Sequence, residues 1–377
     1  MMERPLFDIR PVKSKRDLDR FIDLPTRLQA DDPAYVAPLK MERRQALSAK
    51  TNPFFHYADV QLWLAFEGDE VVGRISAQSD RRLPGIGHFG MLAGKDDPAL
   101  FKALFTTAEA WLAARGLTRI QGPFNLSINE EIGVLVDGFD TPPMLLMGHD
   151  QRHVAERIAE RGYAQVKDVY AYLYSTRGKA PKWLDRMTGR ALPKRVTLRQ
   201  LDWKRYDEDL AAVVDIFNDA WSDNWGFLPL AKDELDALAK ALKPLVHKEL
   251  VQIIDVEGRP AGFGICLPNL NEAIRDLRGS LLPFGWAKLL WRLKISGVKS
   301  ARVPLMGFRR EFAKTQIGGL LPFLVIGRLR EEAAKLGMAQ VEFSWVLEDN
   351  LPMRHVCEAL AGPPYKTYRI FEKVLPA

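Results

Sequence analysis

The sequence predicts a mixed α/β (α+β) fold made of two tandem copies of one αβ unit, and three observations carry that prediction. The stretch Phe66-Glu67-Gly68 to Val72-Gly73-Arg74 reads as strand, tight turn and strand, and Val256-Glu257-Gly258 to Ala261-Gly262-Phe263 repeats it, with Gly262 standing 189 positions after Gly73. Downstream, Trp111 to Gly116 followed by Leu117 to Gly122 matches Glu331 to Gly337 followed by Met338 to Phe343. Asn129 then falls opposite Asn350, 221 positions apart, so the second copy carries about 32 extra residues between hairpin and helix.

The first unit opens with a strand at Phe7 to Pro11, then helices at Ser14 to Leu24 and near Thr26 to Gln29. Strands follow at Val60 to Glu67, Glu70 to Gln78 and around His88 to Ala93. Pro98 suits a first helical turn, Phe101, Leu104, Phe105, Ala108, Trp111 and Leu112 make one apolar face, and Gly116 closes that helix. Strand Thr118 to Gly122, a helix near Arg152 to Arg161 and strand Lys167 to Tyr174 complete the unit. From Thr176 the chain turns basic and loop-like, with Gly178, Pro181, Gly189 and Pro193, so residues 177–194 read as a linker between units 1–176 and 195–377. The second unit has strands at Val196 to Gln200, Leu250 to Val256, Pro260 to Leu267, Arg302 to Gly307, Gln340 to Trp345 and Thr367 to Val374. Its helices are Asp207 to Phe217 and Leu321 to Leu336, the latter with Leu321, Val325, Leu329, Ala333 and Leu336 on one face and Gly337 as its stop.

A chain of 377 residues is long enough to bury two ordinary cores. The basic excess is small, 54 Lys and Arg against 48 Asp and Glu for a net charge of +6, and mostly dispersed. That balance argues against a nucleic-acid partner and leaves anionic ligands or a lipid surface open. Cys266 and Cys357 sit in apolar runs, as reduced cytosolic thiols do, and six scattered histidines give no metal-ligand spacing. Met1 to Arg10 lacks the apolar core of a signal peptide and no run approaches a membrane span. The expected location is cytoplasmic, with a peripheral place on the inner membrane left open.

The end of the second unit carries a family likeness. Val341-Glu342-Phe343-Ser344-Trp345-Val346 reads as a strand, Glu348-Asp349-Asn350 leads into a helix at Leu351 to Ala361, and Gly362 precedes the strand around Tyr365-Lys366-Thr367-Tyr368-Arg369-Ile370-Phe371. This pattern resembles the GNAT superfamily of CoA-dependent acyltransferases. With Gly122-Pro123, Ser127-Ile128-Asn129-Glu130 and Asp223-Asn224-Trp225-Gly226-Phe227, the chain is similar to a bacterial group with two tandem GNAT-like domains, itself similar to the bacterial ceramide synthases. The resemblance implies acyl-CoA as co-substrate, no metal, and an amine acceptor, in the narrower group a long-chain or sphingoid-type base.

A CoA thioester carries a pyrophosphate, for which the simplest protein device is a glycine-containing loop of amides at a helix N-terminus. The segment Gly307-Phe308-Arg309-Arg310-Glu311-Phe312-Ala313-Lys314-Thr315-Gln316-Ile317-Gly318-Gly319-Leu320 joins a strand to a helix and supplies such a loop with three cations. The equivalent join in the first unit, Gly94-Lys95-Asp96-Asp97-Pro98, has two carboxylates and a proline without an N–H, so the donor site is expected in the second unit. The plainer alternative is that Arg309, Arg310 and Lys314 form a solvated surface. The usual GNAT loop spaces its glycines differently from Gln316-Ile317-Gly318-Gly319, and the resemblance also assigns Asn350 to the cofactor side.

Acyl transfer to an amine requires a base, a proton donor for the departing thiolate and polarisation of the carbonyl. Glu348 and Asp349 stand where a GNAT fold exposes the thioester, or else only cap the next helix; His355 on that helix is a second candidate base or a surface residue. The tyrosine acid usual in GNAT enzymes is Cys357 here, read as a buried structural thiol, which leaves Tyr365 or Tyr368 for the role. Asn129, Glu130 and Glu131 with Asn218, Trp221, Asn224 and Trp225 combine stacking and hydrogen-bonding groups, as the walls of an acceptor pocket between the units or as helix caps and core. No serine or cysteine elbow is present, which favours direct transfer.

The insertion, residues 269–300, holds tryptophans and leucines interleaved with Lys288, Arg292 and Lys294 over 281–294, a composition that suits a lipid–water interface or a helix packed on the sheet. The sequence thus points to an acyl-CoA-dependent N-acyltransferase. The other classes weighed are a nucleotide pyrophosphohydrolase, for which neither a glutamate-rich metal helix nor a His–Asp metal pair is found, and a catalytically silent binding protein of the same fold.

Overall fold

The computed structural model describes residues 6–178, 181–189 and 192–375. Its first half runs β1 (Asp8–Pro11), α1 (Lys15–Leu28), α2 (Lys40–Ala46), β2 (Ala58–Glu67), β3 (Glu70–Asp80), β4 (Ile86–Gly94), α3 (Pro98–Ala113), β5 (Arg119–Gly122), the short β6 (Phe124–Asn125) and β7 (Glu131–Ile132), β8 (Val134–Asp137), α4 (Val154–Ala159) and β9 (Ala164–Ser175). The second half runs α5 (Lys182–Thr188), β10 (Val196–Gln200), α6 (Tyr206–Trp221), α7 (Lys232–Leu242), β11 (Val251–Val256), β12 (Arg259–Pro268), α8 (Leu270–Ile274) and α9 (Gly285–Trp291). It ends with β13 (Ser300–Phe308), α10 (Leu321–Lys335), β14 (Gln340–Leu347), α11 (Leu351–Ala361) and β15 (Lys366–Val374).

One sheet of 13 strands crosses the whole molecule in the order β1-β2-β3-β4-β5-β15-β9-β14-β13-β12-β11-β10, with β8 pairing β15 beside that path. Pairs β4–β5 and β13–β14 are parallel, at equivalent places in the two copies. The last strand of each half lies in the territory of the other: β9 pairs with β14, β15 pairs with β5, and the two pair with each other.

The apolar face predicted for α3 is buried, with Leu100, Phe101, Leu104, Phe105, Ala108 and Leu112 fully enclosed against the sheet. In the second copy Leu321, Val325, Leu329 and Ala333 of α10 do the same work. Both helices reach the strands over glycines: a Cβ on Gly73 would meet Leu100 at 3.0 Å, and one on Gly264 would meet Val325 at 2.6 Å. Each such buried Leu, Val or Phe contributes about 1.5–3 kcal/mol by removal from water.

Three local expectations change. The two helices expected at Ser14 to Leu24 and Thr26 to Gln29 are one, α1, with Pro25 inside it and Ser14 and Asp17 forming its capping box. Proline lacks the N–H that would bond the Phe21 carbonyl, and the Arg74 guanidinium donates to that oxygen instead at 2.6 Å, so the helix continues. Within 177–194, expected to be loop-like, α5 forms, because Leu184 is buried and Trp183 packs edge-on to Phe323 of α10 with ring centroids 5.3 Å apart. Short strands β6, β7 and β8 and helix α2 were not expected; each is too brief to give a periodic signal.

Candidate active site

The parallel pairing of β13 and β14 ends at Val303 and Phe343, and charged side chains fill the interior beside it. Arg302 and Glu342 are direct partners across the two strands and both are enclosed. The Arg302 guanidinium lies 3.7 Å from the Glu342 carboxylate and donates to Ser344 Oγ at 2.7 Å, to the Ser344 carbonyl at 3.0 Å and to the Leu145 carbonyl at 3.0 Å. Ser344 Oγ and the Tyr365 hydroxyl both donate to the Glu342 carboxylate. Burial and that neighbouring carboxylate push the Tyr365 phenol far up, so it stays a donor. Next to it, the buried Lys366 ammonium donates to the carbonyls of Gly138 at 2.5 Å and Thr141 at 2.7 Å, and burial pushes it down to about 8.

Across β15 the cluster continues into the first half. Tyr368, fully enclosed, donates to the Gly148 carbonyl at 3.2 Å, and burial raises its phenol well above the usual value, with Glu342 and Asp150 adding to the effect. Asp150 accepts from the Leu135 amide at 2.9 Å through Oδ2, and among the described residues nothing donates to its Oδ1. Burial pushes its carboxyl up to about 6. Glu130 has no side-chain hydrogen-bond donor among the described residues, and burial raises it to about 8. Burial would raise Glu131 likewise, but the Arg43 guanidinium and the Asn125 amide, which donates at 2.8 Å, bring it below the ordinary value. The result is one ionised carboxylate beside two readily protonated ones.

Polar atoms without partners gather nearby. Arg74 Nε, Ser76 Oγ and Gln78 Oε1 are buried and unbonded, and alternate residues 74, 76 and 78 share one face of β3. The charges of Arg43, Glu131 and Asp150 act on Arg74, which burial lowers to about 10. Tyr35 is raised by burial. Buried groups left unpaired are costly, and these three atoms are open to a polar partner.

The sequence-predicted residues distribute as follows. Asn129 and the Asn224–Trp225 turn meet: Asn129 Nδ2 donates to the Leu228 carbonyl at 3.2 Å, and Ile128, Leu228 and Trp225 share a core cluster with Tyr368. Asn218 lies on α6 with a buried, unbonded Oδ1. Glu348 and Asp349 face Lys167, 3.7 and 2.8 Å from its ammonium, and that ammonium sits 5.8 Å from the Trp225 ring. His355 is exposed on α11, and Asn350 caps that helix by accepting from the Met353 amide at 3.2 Å. Cys357 is buried and its thiol is pushed up to about 12.

In the β13–α10 loop, the arginines are engaged by Asp215 and Asp219 of α6 and by Asp223 in the turn just after it. Arg309 bonds Asp215, and Arg310 bonds Asp223 at 2.7 Å and lies 3.5 Å from Asp219. Asp219 also accepts from the Arg310 amide at 2.8 Å. Phe308 packs on the second-half core, and the Gly318 amide donates to Thr315. Lys314, Gln316 and Gly319 are exposed beside the start of α10, which has no side-chain cap. At the matching start of α3, Asp97 accepts from the Ala99 and Leu100 amides at 2.8 and 3.2 Å. The start of α3 is thus closed by its own carboxylate; before α10 the amides of Gly318, Leu320 and Leu321 already donate within the loop, to Thr315 and Ile317, and Pro322 has no N–H, which leaves Lys314 and Gln316 as the exposed polar side chains there.

Sequence reasoning missed Tyr35, Arg43, Arg74, Asp150, Arg302, Glu342 and Lys366 as site residues. A signal existed for the strand residues, since Arg74, Arg302 and Glu342 are charges inside runs otherwise fit for a buried strand.

No family model matches the chain. It is 53% identical over 371 residues, 97% of each chain, to the bacterial ceramide synthase of Caulobacter vibrioides strain NA1000 / CB15N. The chain belongs to the bacterial ceramide synthase family. A second relative, Protein YghO of Escherichia coli strain K12, is 42% identical over 380 residues, covering 97% of this chain and 95% of that one. The tandem GNAT protein of the clavulanic acid pathway superposes with a TM-score of 0.58 at 16% identity over 98% of this chain and 99% of that one. The GCN5-related N-acetyltransferase of Sphaerobacter thermophilus gives 0.56 at 13% identity over 99% and 97%. These two share its fold, as the duplicated pattern predicts. Family and fold together make the chain a GNAT-type acyltransferase.

Proposed function

We propose that this acyltransferase moves a long acyl group from acyl-CoA to the amine of a sphingoid-type base, forming an amide at the buried charged junction between the two halves. The observation that carries this reading is the set of carboxyls with separated proton affinities around Arg74: Glu131 ionised, Asp150 near 6 and Glu130 near 8. Glu131 attracts the ammonium form of the acceptor, which gives up one proton to solvent before its nitrogen can add. Asp150, ionised at neutral pH and basic enough to be useful, takes the proton as nitrogen adds to the acyl carbonyl. Tyr368, kept protonated by its surroundings, is a proton donor in the same cluster for the departing thiolate. Glu130, protonated at neutral pH, and the unbonded Ser76 and Gln78 can hydrogen-bond acceptor hydroxyls. The thioester supplies the activated acyl group, and Lys314 and Gln316, exposed beside the start of α10, are the side chains fit to meet its pyrophosphate. The sphingoid acceptor is favoured by the name of the Caulobacter relative, a ceramide synthase.

Purified protein incubated with a mixture of acyl-CoAs, sphingoid bases and polyamines tests the reading by mass spectrometry. The expected product is a sphingoid base plus one acyl group minus water. Acylated polyamine alone would overturn the acceptor, and no amide with any amine would overturn the reaction.

A further inference from the structure

The insertion leaves an apolar ridge in solvent. Of thirteen strongly exposed large apolar side chains among the described residues, six fall between Leu282 and Ile295. Leu282, Phe284 and Ile295 are 79%, 78% and 74% exposed, and Trp286, Leu290 and Trp291 are each about half exposed. Leu289 and Leu293 pack inward on the second-half core, so α9 and the turn after it are apolar on both faces. A short helix of that kind in water has no folding reason for its outer face.

Charge concentrates in the same place. Between Arg275 and Lys299 there are six Lys and Arg against one Asp, which gives +5 of the whole chain's +6. Asp276 binds Lys288, and Arg292 at 2.5 Å, so these two cations are spent on holding the ridge in shape. Arg278, Lys294 and Lys299 have no carboxylate partner among the described residues and are exposed. Tryptophans half in water, fully exposed aliphatics and unpaired cations within one segment match the interfacial zone of a bilayer bearing anionic lipid. No helix among the described residues is long and apolar enough to cross a membrane.

The ridge is also wired to the junction. Leu281 and Leu289 pack with Val36 and Leu39, which lead into α2 and Arg43. Just before α8, Asn269 accepts from the Leu145 amide at 3.0 Å, and Asn271 donates to the carbonyls of Pro143 and Met144, so the insertion holds the strap that continues to Gly148 and Asp150.

We propose that the 282–295 ridge docks the enzyme on an anionic phospholipid bilayer, with Leu282, Phe284, Trp286, Leu290, Trp291 and Ile295 entering the interface and Arg278, Lys294 and Lys299 meeting lipid phosphates. This deepens the lipid-acceptor reading, since the acceptor would enter from the membrane, and it rests on that reading for its purpose only. The full chain is sedimented with phosphatidylethanolamine vesicles, with and without phosphatidylglycerol, while tryptophan emission is followed. Binding that needs phosphatidylglycerol, with a blue shift, is expected. Lys294→Gln and Lys299→Gln should each weaken it about fivefold, the loss expected for one cation at an anionic surface. Phe284→Glu with Ile295→Glu should abolish it while circular dichroism and acylation of a water-soluble amine stay unchanged. Three results overturn the proposal: wild-type protein left in the supernatant, charge-substituted ridges that bind as wild type does, or a lipid-free dimer dissolved by the same substitutions, which would make a second copy the occupant. Vesicle binding without acyl transfer leaves the docking surface standing and defeats the functional reading; acyl transfer without vesicle binding does the reverse.

Discussion

Asp150→Asn separates the electrostatics of the junction from its packing. Asparagine keeps an oxygen for the Leu135 amide and removes the charge. In the native protein the carboxyl holds its proton up to about pH 6, whereas in the unfolded chain it lets go near 3.8. Between those values the native state binds more protons than the unfolded one, so stability from this group is present below about pH 4 and is lost as pH rises toward 6. Two pH units correspond to about 3 kcal/mol, an upper bound because Asp150 is not wholly enclosed. Urea unfolding at intervals from pH 4 to pH 8 should find variant and wild type nearly equal at the acid end and the variant firmer by up to about 3 kcal/mol at the alkaline end. Acyl transfer by the wild type should rise with pH through about 6, and in the variant that limb should vanish with a rate loss of roughly a hundredfold or more. Stability curves that run parallel across the range would refute the burial argument; an intact acid limb in the variant would refute Asp150 as the base.

Glu342→Gln leaves Arg302 enclosed without its counter-charge and should cost about 3–5 kcal/mol by urea midpoint, with Arg302→Met recovering part of the loss in the double variant; additive midpoints would mean the pair is not coupled. Gly90→Ala places a Cβ 1.7 Å from the Phe124 carbonyl oxygen, so the protein should fail to accumulate in soluble form, judged by expression beside wild type. Cys266 and Cys357 are buried with thiols pushed up to about 12, so neither should react with a thiol reagent at pH 8 until urea unfolds the chain, when both should titrate. Lys314→Glu should raise KM for acyl-CoA about tenfold with little change in kcat, measured at saturating amine, because it reverses a charge at the α10 terminus outside the junction.

Periodicity made the scaffold legible. Leu100 to Leu112 and Leu321 to Ala333 announce amphipathic helices, and the Gly68 and Gly258 turns, at φ of 59° and 78°, announce the hairpins. The junction was legible only in part, because its residues come from β3, the β6–β7 turn, the strap before α4, and β13, β14 and β15, and no local pattern relates Arg74 to Asp150 or Glu342. Glu130 and Glu131 were reached as polar walls beside Asn129, and Tyr368 through the resemblance. The loop cations illustrate the limit differently: Asp215 and Asp219 are plainly spaced to share a helix face, with Asp223 just beyond its end, but only the fold brings them to Arg309 and Arg310. Proline 25 could not have been placed inside a helix without knowing that Arg74 serves the carbonyl it abandons.

The crossing of β9 and β15 sets the order in which this protein can be made. During synthesis the first half emerges with β5 lacking its neighbour, and that neighbour is β15, Lys366–Val374, made only after the second half. No nascent fragment that stops short of β15 can finish the earlier sheet, and a truncation before Lys366 would strip the amino-terminal half of an interior strand while leaving its own sequence untouched. Neither half is a portable module, and the charged junction comes into being only once β15 has been made.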